Sequence, residues 1–148
     1  MRVVIQRVKK AEVFVENNRV AAIKGGILAF LGIASGDDGS QIPWLTKKIC
    51  ELRIFPDNQD KMNFSVKDVG KSILLVSQFT LYANLNRGRR PDFFQAADPN
   101  KAEKLFNSFK QELDKSGLQI QTGVFGASMQ VSLINDGPVT LILERTNI

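Results

Sequence analysis

The chain has 148 residues, 43 % of them apolar, a formal net charge of +5 and a pI near 9.5. It holds no histidine and one cysteine, which excludes Ser-His and Cys-His nucleophile pairs, histidine-ligated zinc and an internal disulfide. No apolar run approaches the ~20 residues of a membrane span, and Met1-Arg2-Val3-Val4-Ile5-Gln6-Arg7 turns polar too early for a signal peptide. The expectation is a cytoplasmic protein of one domain over residues 1–148, with no metal, no cofactor and no membrane partner.

Residues 2–8 read as a strand, and 12–16 with 19–24 as a hairpin turning at Asn17-Asn18, since asparagine tolerates positive φ. After Gly25-Gly26, the nearly continuous apolar run 27–33 suits a strand covered on both faces. Gly36-Asp37-Asp38-Gly39-Ser40 supplies capping residues for a helix reaching about Leu52, with Ile42, Leu45, Ile49 and Leu52 on one stripe. Cys50 falls inside that helix and reads as a structural thiol. A further buried strand spans 71–79. Asp98-Pro99 opens a second helix, with Ala102, Leu105, Phe106, Phe109 and Leu113 facing inward and Gly117 as its stop. Strands at 118–123, 129–134 and 139–144 complete an α+β fold, a strongly curved, barrel-like mixed sheet with two main helices.

Several segments could carry chemistry. Ser77-Gln78-Phe79-Thr80-Leu81 lies where a buried strand gives way to polar chain; its hydroxyls, amide and backbone N–H groups suit an oxyanion hole, or they are satisfied locally at a strand end. Asn135-Asp136-Gly137-Pro138 is either a hairpin turn or a functional loop, because Pro138 cannot donate to a ladder. Arg87-Gly88-Arg89-Arg90 is the clearest basic cluster; with Pro91-Asp92-Phe93 it either grips phosphate or pairs with acids such as Asp92. In Gly123-Val124-Phe125-Gly126-Ala127 the small residues allow close approach of a ligand, and Phe125 either stacks on a base or packs in the core.

These segments occur in a fixed order with Gln6-Arg7-Val8 and Leu52-Arg53-Ile54-Phe55, and over essentially its whole length the chain resembles the D-aminoacyl-tRNA deacylase family. Ser-Gln-Phe-Thr at 77–80 and Asn-Asp-Gly-Pro-Val-Thr at 135–140 are the signatures. The resemblance implies a homodimer that hydrolyses D-aminoacyl-tRNA, with active sites at the subunit interface. It implies a pocket lined by Ser77, Gln78, Phe79 and Thr80 of one subunit and entered by Gly137 and Pro138 of the other as a cis peptide. Arg7 would hold that loop, Phe125 would receive the terminal adenosine, and Met129 would stand near the pocket.

A filter of this kind would pass a D-amino acid, reject an L-amino acid by steric clash, and admit glycine, which makes glycyl-tRNA(Ala) a second expected substrate. Hydrolysis would rest on backbone N–H groups near Phe79 and Thr80 and on the substrate's own 2′-hydroxyl; Thr80 as nucleophile ranks second, because no base is evident to activate it. The rivals are a non-catalytic RNA-binding module and a purely structural dimer.

Overall fold

The computed structural model describes residues 1–147. In chain order they form β1 (Arg2–Val15), β2 (Asn18–Ile23), β3 (Gly26–Gly32), α1 (Ile42–Glu51), β4 (Phe55–Pro56), β5 (Met62–Phe64), β6 (Ser72–Ser77), a 3₁₀ turn (Phe79–Tyr82), α2 (Pro99–Asp114), β7 (Ile120–Thr122) and β8 (Gln130–Glu144). The sheet order is β2-β1-β3-β6-β7, and β8 runs along the other edge of β1. Antiparallel pairing joins β1 to β2, β3 and β8, whereas β3–β6 and β6–β7 are parallel. Strand β2 also comes against β6 and β7, so the mixed sheet curls into a nearly closed barrel.

Two apolar clusters explain why β3 and β6 lack the alternation of a half-exposed strand. Ile27, Ala29 and Leu31 of β3, with Ile73 and Leu75 of β6, face the helices and meet Leu45, Ile49, Phe106, Phe109 and Leu113. Leu28, Leu74 and Val76 point the other way, into the barrel, against Val8, Ala11, Val13, Ala21 and Ile23. Side chains alternate across each strand, yet both faces are covered, so the sequence reads as one apolar run. Complete burial of Phe109 at this seam is worth ~1.5–3 kcal/mol by transfer.

The second helix begins as the sequence predicts: Asp98 is its N-cap, its carboxylate accepting from Lys101 N–H at 3.1 Å, and Pro99 takes the first helical position. Cys50 lies buried on α1, and burial pushes its thiol up from the ordinary value. The capping expected for α1 is not found. Its N-cap is Gln41, without a side-chain cap bond, while Asp37 is buried and accepts from the Met1 ammonium at 2.9 Å and Ala34 N–H at 2.7 Å.

Three other expectations are corrected by pairing. The strands read at 2–8 and 12–16 are one continuous β1, because β8 accompanies both halves. Its hairpin turns at Glu16-Asn17, with φ of 49° and 64°, since Asn18 is already paired with Val15. The buried strand expected over 71–79 stops at Ser77, and Phe79 belongs to the 3₁₀ turn. The short β4–β5 pair carries too little periodicity to have been read in advance.

The segments at 129–134 and 139–144 are likewise halves of one strand. Both pair with β1, from Phe14↔Gln130 to Arg2↔Glu144, and not with each other. Asn135-Asp136-Gly137-Pro138 is therefore no hairpin turn. Val8 pairs with Asn135 and Gln6 with Thr140, so residues 136–139 bulge out opposite Arg7 alone.

Candidate active site

A cavity of about 640 Å³ opens at the carboxyl ends of the parallel strands β3 and β6. Leu31, Ile33, Val76 and Ser77 form its floor, the start of α2 (Asp98, Pro99, Ala102) one wall, and Phe125 to Met129 another. Crevices at this end of parallel strands, next to a helix N-terminus, are recurrent binding places, because loops diverge there over a rigid base.

Ser77, Gln78, Phe79, Phe125 and Met129 all line the cavity. Gln78 anchors the strand end through its N–H, which donates to Leu31 carbonyl at 2.8 Å. The next two residues open the 3₁₀ turn. The N–H groups at the start of a helical turn have no partner within it, and those of Phe79 and Thr80 donate to no backbone carbonyl among the described residues. Thr80 itself lies outside the cavity wall and is exposed, and its hydroxyl accepts from the Gln78 side-chain amide.

The turn can sit over the strand end because β3 finishes in Gly32. A Cβ there would stand 2.9 Å from Leu81 Cβ and 3.2 Å from the Gln78 carbonyl oxygen. A comparable close approach holds the opposite wall, where a Cβ on Gly123 would meet Met129 Sδ at 2.6 Å.

Phe125 packs against the core, as one of its two readings has it. Its ring packs on Phe106 of α2 at 5.8 Å between centroids, and it also lines the cavity. Across the opening, Phe93 meets Phe79 edge-on at 5.0 Å. Asp98 is the one ionisable side chain on the wall among the described residues, and its Oδ1 is engaged in capping α2. The cavity therefore offers mainly dipoles and apolar surface, and its one ionisable side chain among the described residues caps α2. Phe93 and Asp98 are wall residues that sequence reasoning reads only as loop and cap; the signal that could have placed them is a helix N-terminus following a buried parallel strand.

Arg7, Gly137 and Pro138 lie outside this cavity. The Gly137–Pro138 peptide is cis, and both residues are exposed. Arg7 is buried beneath their loop. Its Nε donates to the Asp136 carbonyl at 3.1 Å and faces the Asp136 carboxylate at 3.2 Å, while Nη1 donates to the carbonyl of Ile54. Asn135 closes the base of the bulge, donating from Nδ2 to the carbonyls of Arg7 and Val139 at 3.1 Å each. A Cβ on Gly137 would lie 2.8 Å from Asn135 Oδ1.

The fold is shared with known proteins. The model of the family described as D-Tyr-tRNA(Tyr) deacylase matches residues 4–144. A D-aminoacyl-tRNA deacylase of Desulfotalea psychrophila is 49 % identical over 148 residues, covering 100 % of this chain and 99 % of that protein. One from Pelobacter propionicus is 52 % identical over 145 residues, covering 98 % and 100 %. Among solved structures, one titled c-Myc DNA Unwinding Element Binding Protein superposes with a TM-score of 0.92 at 42 % identity, covering 99 % of this chain and 100 % of that one. A probable eukaryotic D-amino acid tRNA deacylase shares the fold, with a TM-score of 0.83 at 16 % identity over 96 % and 97 % of the two chains.

The chain belongs to the D-Tyr-tRNA(Tyr) deacylase family, whose members are hydrolases acting on ester bonds. No helix among the described residues is long and apolar enough to cross a membrane.

Proposed function

We propose that this protein hydrolyses the ester of D-aminoacyl-tRNA, and of glycyl-tRNA(Ala), in a pocket completed by a second copy of the chain. The observation that carries the catalytic part is the pair of N–H groups at Phe79 and Thr80, unpartnered in the backbone network where the turn leaves the cavity wall, beside a cavity whose one ionisable side chain among the described residues caps α2.

In this reading the terminal adenosine lies against Phe125 and Met129, and the ester carbonyl oxygen receives the two N–H groups. Water adds to the carbonyl carbon with help from the 2′-hydroxyl of the terminal ribose. The negative charge that develops on oxygen is held by backbone dipoles that need no reorganisation. The C–O bond to the ribose then breaks, the leaving oxygen takes a proton, and a free D-amino acid and tRNA result. Side chains are not required to exchange protons, which agrees with a chain devoid of histidine.

The second part concerns chirality. Gly137 and Pro138 are exposed and lie away from their own protomer's cavity, on a strand whose outer edge pairs with nothing among the described residues. The same strand exposes Ile134, Leu141 and Ile142, apolar side chains suited to a subunit interface. A second copy docked there would bring the two carbonyls of Gly137 and Pro138 to the α-carbon of the substrate. A hydrogen could face them and a side chain could not, so D-amino acids and glycine pass while L-amino acids clash. Each ~1.4 kcal/mol of clash is a tenfold preference.

Removing the terminal 2′-hydroxyl tests the chemistry: the 2′-deoxy D-aminoacyl-tRNA is expected to be hydrolysed far more slowly, and an unchanged rate would contradict substrate assistance. Sedimentation at assay concentration tests the assembly, since a fully active monomer would contradict a shared site.

A further inference from the structure

The loop between the 3₁₀ turn and α2 has a use that the catalytic pocket leaves unexplained. Asn84 and Asp92 pin its base: each backbone N–H donates to the other's carbonyl, at 2.9 and 3.2 Å, and Asn84 Nδ2 donates to Asp92 Oδ2 at 3.0 Å. The carboxylate nearest in sequence to the arginines is thus held by an amide. Arg87, Arg89 and Arg90 are all exposed, and none forms an ion pair or side-chain hydrogen bond among the described residues. By contrast, Arg2, Arg7 and Arg19 each pair with an acid. Gly88, with φ of +65°, makes the bend between Arg87 and Arg89. Immediately beyond the pinned base, Phe93 contacts Phe79 at the cavity, and Phe94 is 90 % exposed.

Three exposed guanidinium groups without an acidic partner and a bare aromatic ring beside a pocket contribute nothing to the core. They fit a polyanion whose reactive end lies in the cavity. Guanidinium forks match phosphate oxygens bidentately, and exposed aromatic rings stack on unpaired bases.

We infer that Arg87, Arg89 and Arg90, with Phe94, form the docking strip for the sugar-phosphate backbone of the substrate's RNA next to its esterified 3′ end. This rests on the proposed deacylase reading. It assigns affinity for the RNA to the loop and leaves bond cleavage to the cavity. Arg87, Arg89, Arg90 and Phe94 lie outside the cavity wall, so they act on capture and not on the chemical step.

The test compares two substrates, full-length D-aminoacyl-tRNA and D-aminoacyl-adenosine, which retains the ester and terminal nucleoside but lacks the phosphates. In R87A/R89A/R90A, KM for the tRNA should rise about tenfold or more, and the slope of log affinity against log salt should fall by about two to three. Turnover of D-aminoacyl-adenosine should stay at the wild-type value, which also reports an intact fold. The triple lysine variant, retaining the charges, should recover most of the salt slope, and F94A should raise KM without changing that slope.

An unchanged KM and slope for tRNA in the folded alanine variant would overturn the assignment. So would binding of duplex DNA more tightly than tRNA, lost in the same variant, because the loop would then serve a different polyanion. Failure of the wild-type protein on both aminoacyl substrates would overturn the deacylase reading itself, and this inference with it.

Discussion

Arg7 and Asp136 hold each other by two contacts, from Arg7 Nε to the Asp136 carbonyl at 3.1 Å and to its carboxylate at 3.2 Å, so the bulge at 136–139 is tied to the strand it departs from. Arg7→Met removes a buried cation and leaves the carbonyls of Asp136 and Ile54 without their donor. Breaking a buried pair costs ~3–5 kcal/mol, and the Asp136 side chain keeps 35 % exposure, which puts the effect at the low end. Denaturant unfolding should show a loss of about 3 kcal/mol for Arg7→Met and a distinctly smaller one for Asp136→Asn, which retains the carbonyl contact. Equal losses would mean that the carboxylate alone holds the loop.

Gly32 and Leu81 set the position of the turn that carries the two free N–H groups. Gly32→Ala places a methyl group 2.9 Å from Leu81 Cβ, nearer than such carbons approach, so the turn must move. Overpacking of this kind costs ~1–3 kcal/mol. The informative result is kinetic: kcat should fall by at least about tenfold, one 1.4 kcal/mol step in the barrier, while KM changes little. Wild-type kcat in the Ala variant would detach the turn from the chemistry.

Thr80 separates two mechanisms. It is exposed, its hydroxyl is engaged by the Gln78 amide, and no base stands near it on the cavity wall. Thr80→Ala keeps the backbone N–H and should retain turnover within about tenfold of wild type. A loss of several orders of magnitude, with oligomeric state and melting temperature preserved, would make the hydroxyl the nucleophile.

Tyr82 provides a pH test of packing at the same turn. It is the chain's single tyrosine. Burial, reinforced by Asp37 and Glu144 and opposed by Arg2, pushes its phenol from the ordinary value of 10.0 up to about 12. Between those two values the unfolded chain gives up a proton that the folded chain keeps. The stabilisation is therefore fully present below pH 10 and is lost as pH rises toward 12. Tyrosinate absorbance can arise only here, so the folded protein should titrate near 12; a midpoint near 10 would show that the turn leaves Tyr82 open to water.

What was legible in the sequence was what local chemistry decides. Asp98-Pro99 starts α2 because a carboxylate and a proline satisfy the helix end without distant help. The run at 27–33 is readable as a doubly covered strand, and Ile73-Leu74-Leu75-Val76 as the heart of a buried one, because only apolar side chains fit both the barrel interior and the helix layer. What escaped depends on partners far along the chain. Nothing within Asn135-Asp136-Gly137-Pro138 says that Val8 and Gln6 lie beside it and convert a turn into a bulge. Nor could Asp37 be seen to leave α1 uncapped in favour of the Met1 ammonium, 36 residues away. The cavity residues at 77–79 and 125–129 were recognisable as motifs, yet their meeting at one strand end is a product of the parallel β3–β6–β7 register.

The most direct test of the account is deacylation of one tRNA charged in parallel with the D- and L-forms of the same amino acid, followed in the wild-type protein and in Gly137→Ala. The glycine change introduces a methyl group that displaces the Asn135 side chain at the base of the bulge. The proposed function predicts rapid hydrolysis of the D-ester by the wild type, with the L-ester spared by at least about a hundredfold, roughly 2.8 kcal/mol of clash, and slower D-turnover in the folded variant. Equal hydrolysis of the two esters by the wild type, or a folded variant with unaltered rates, would contradict it.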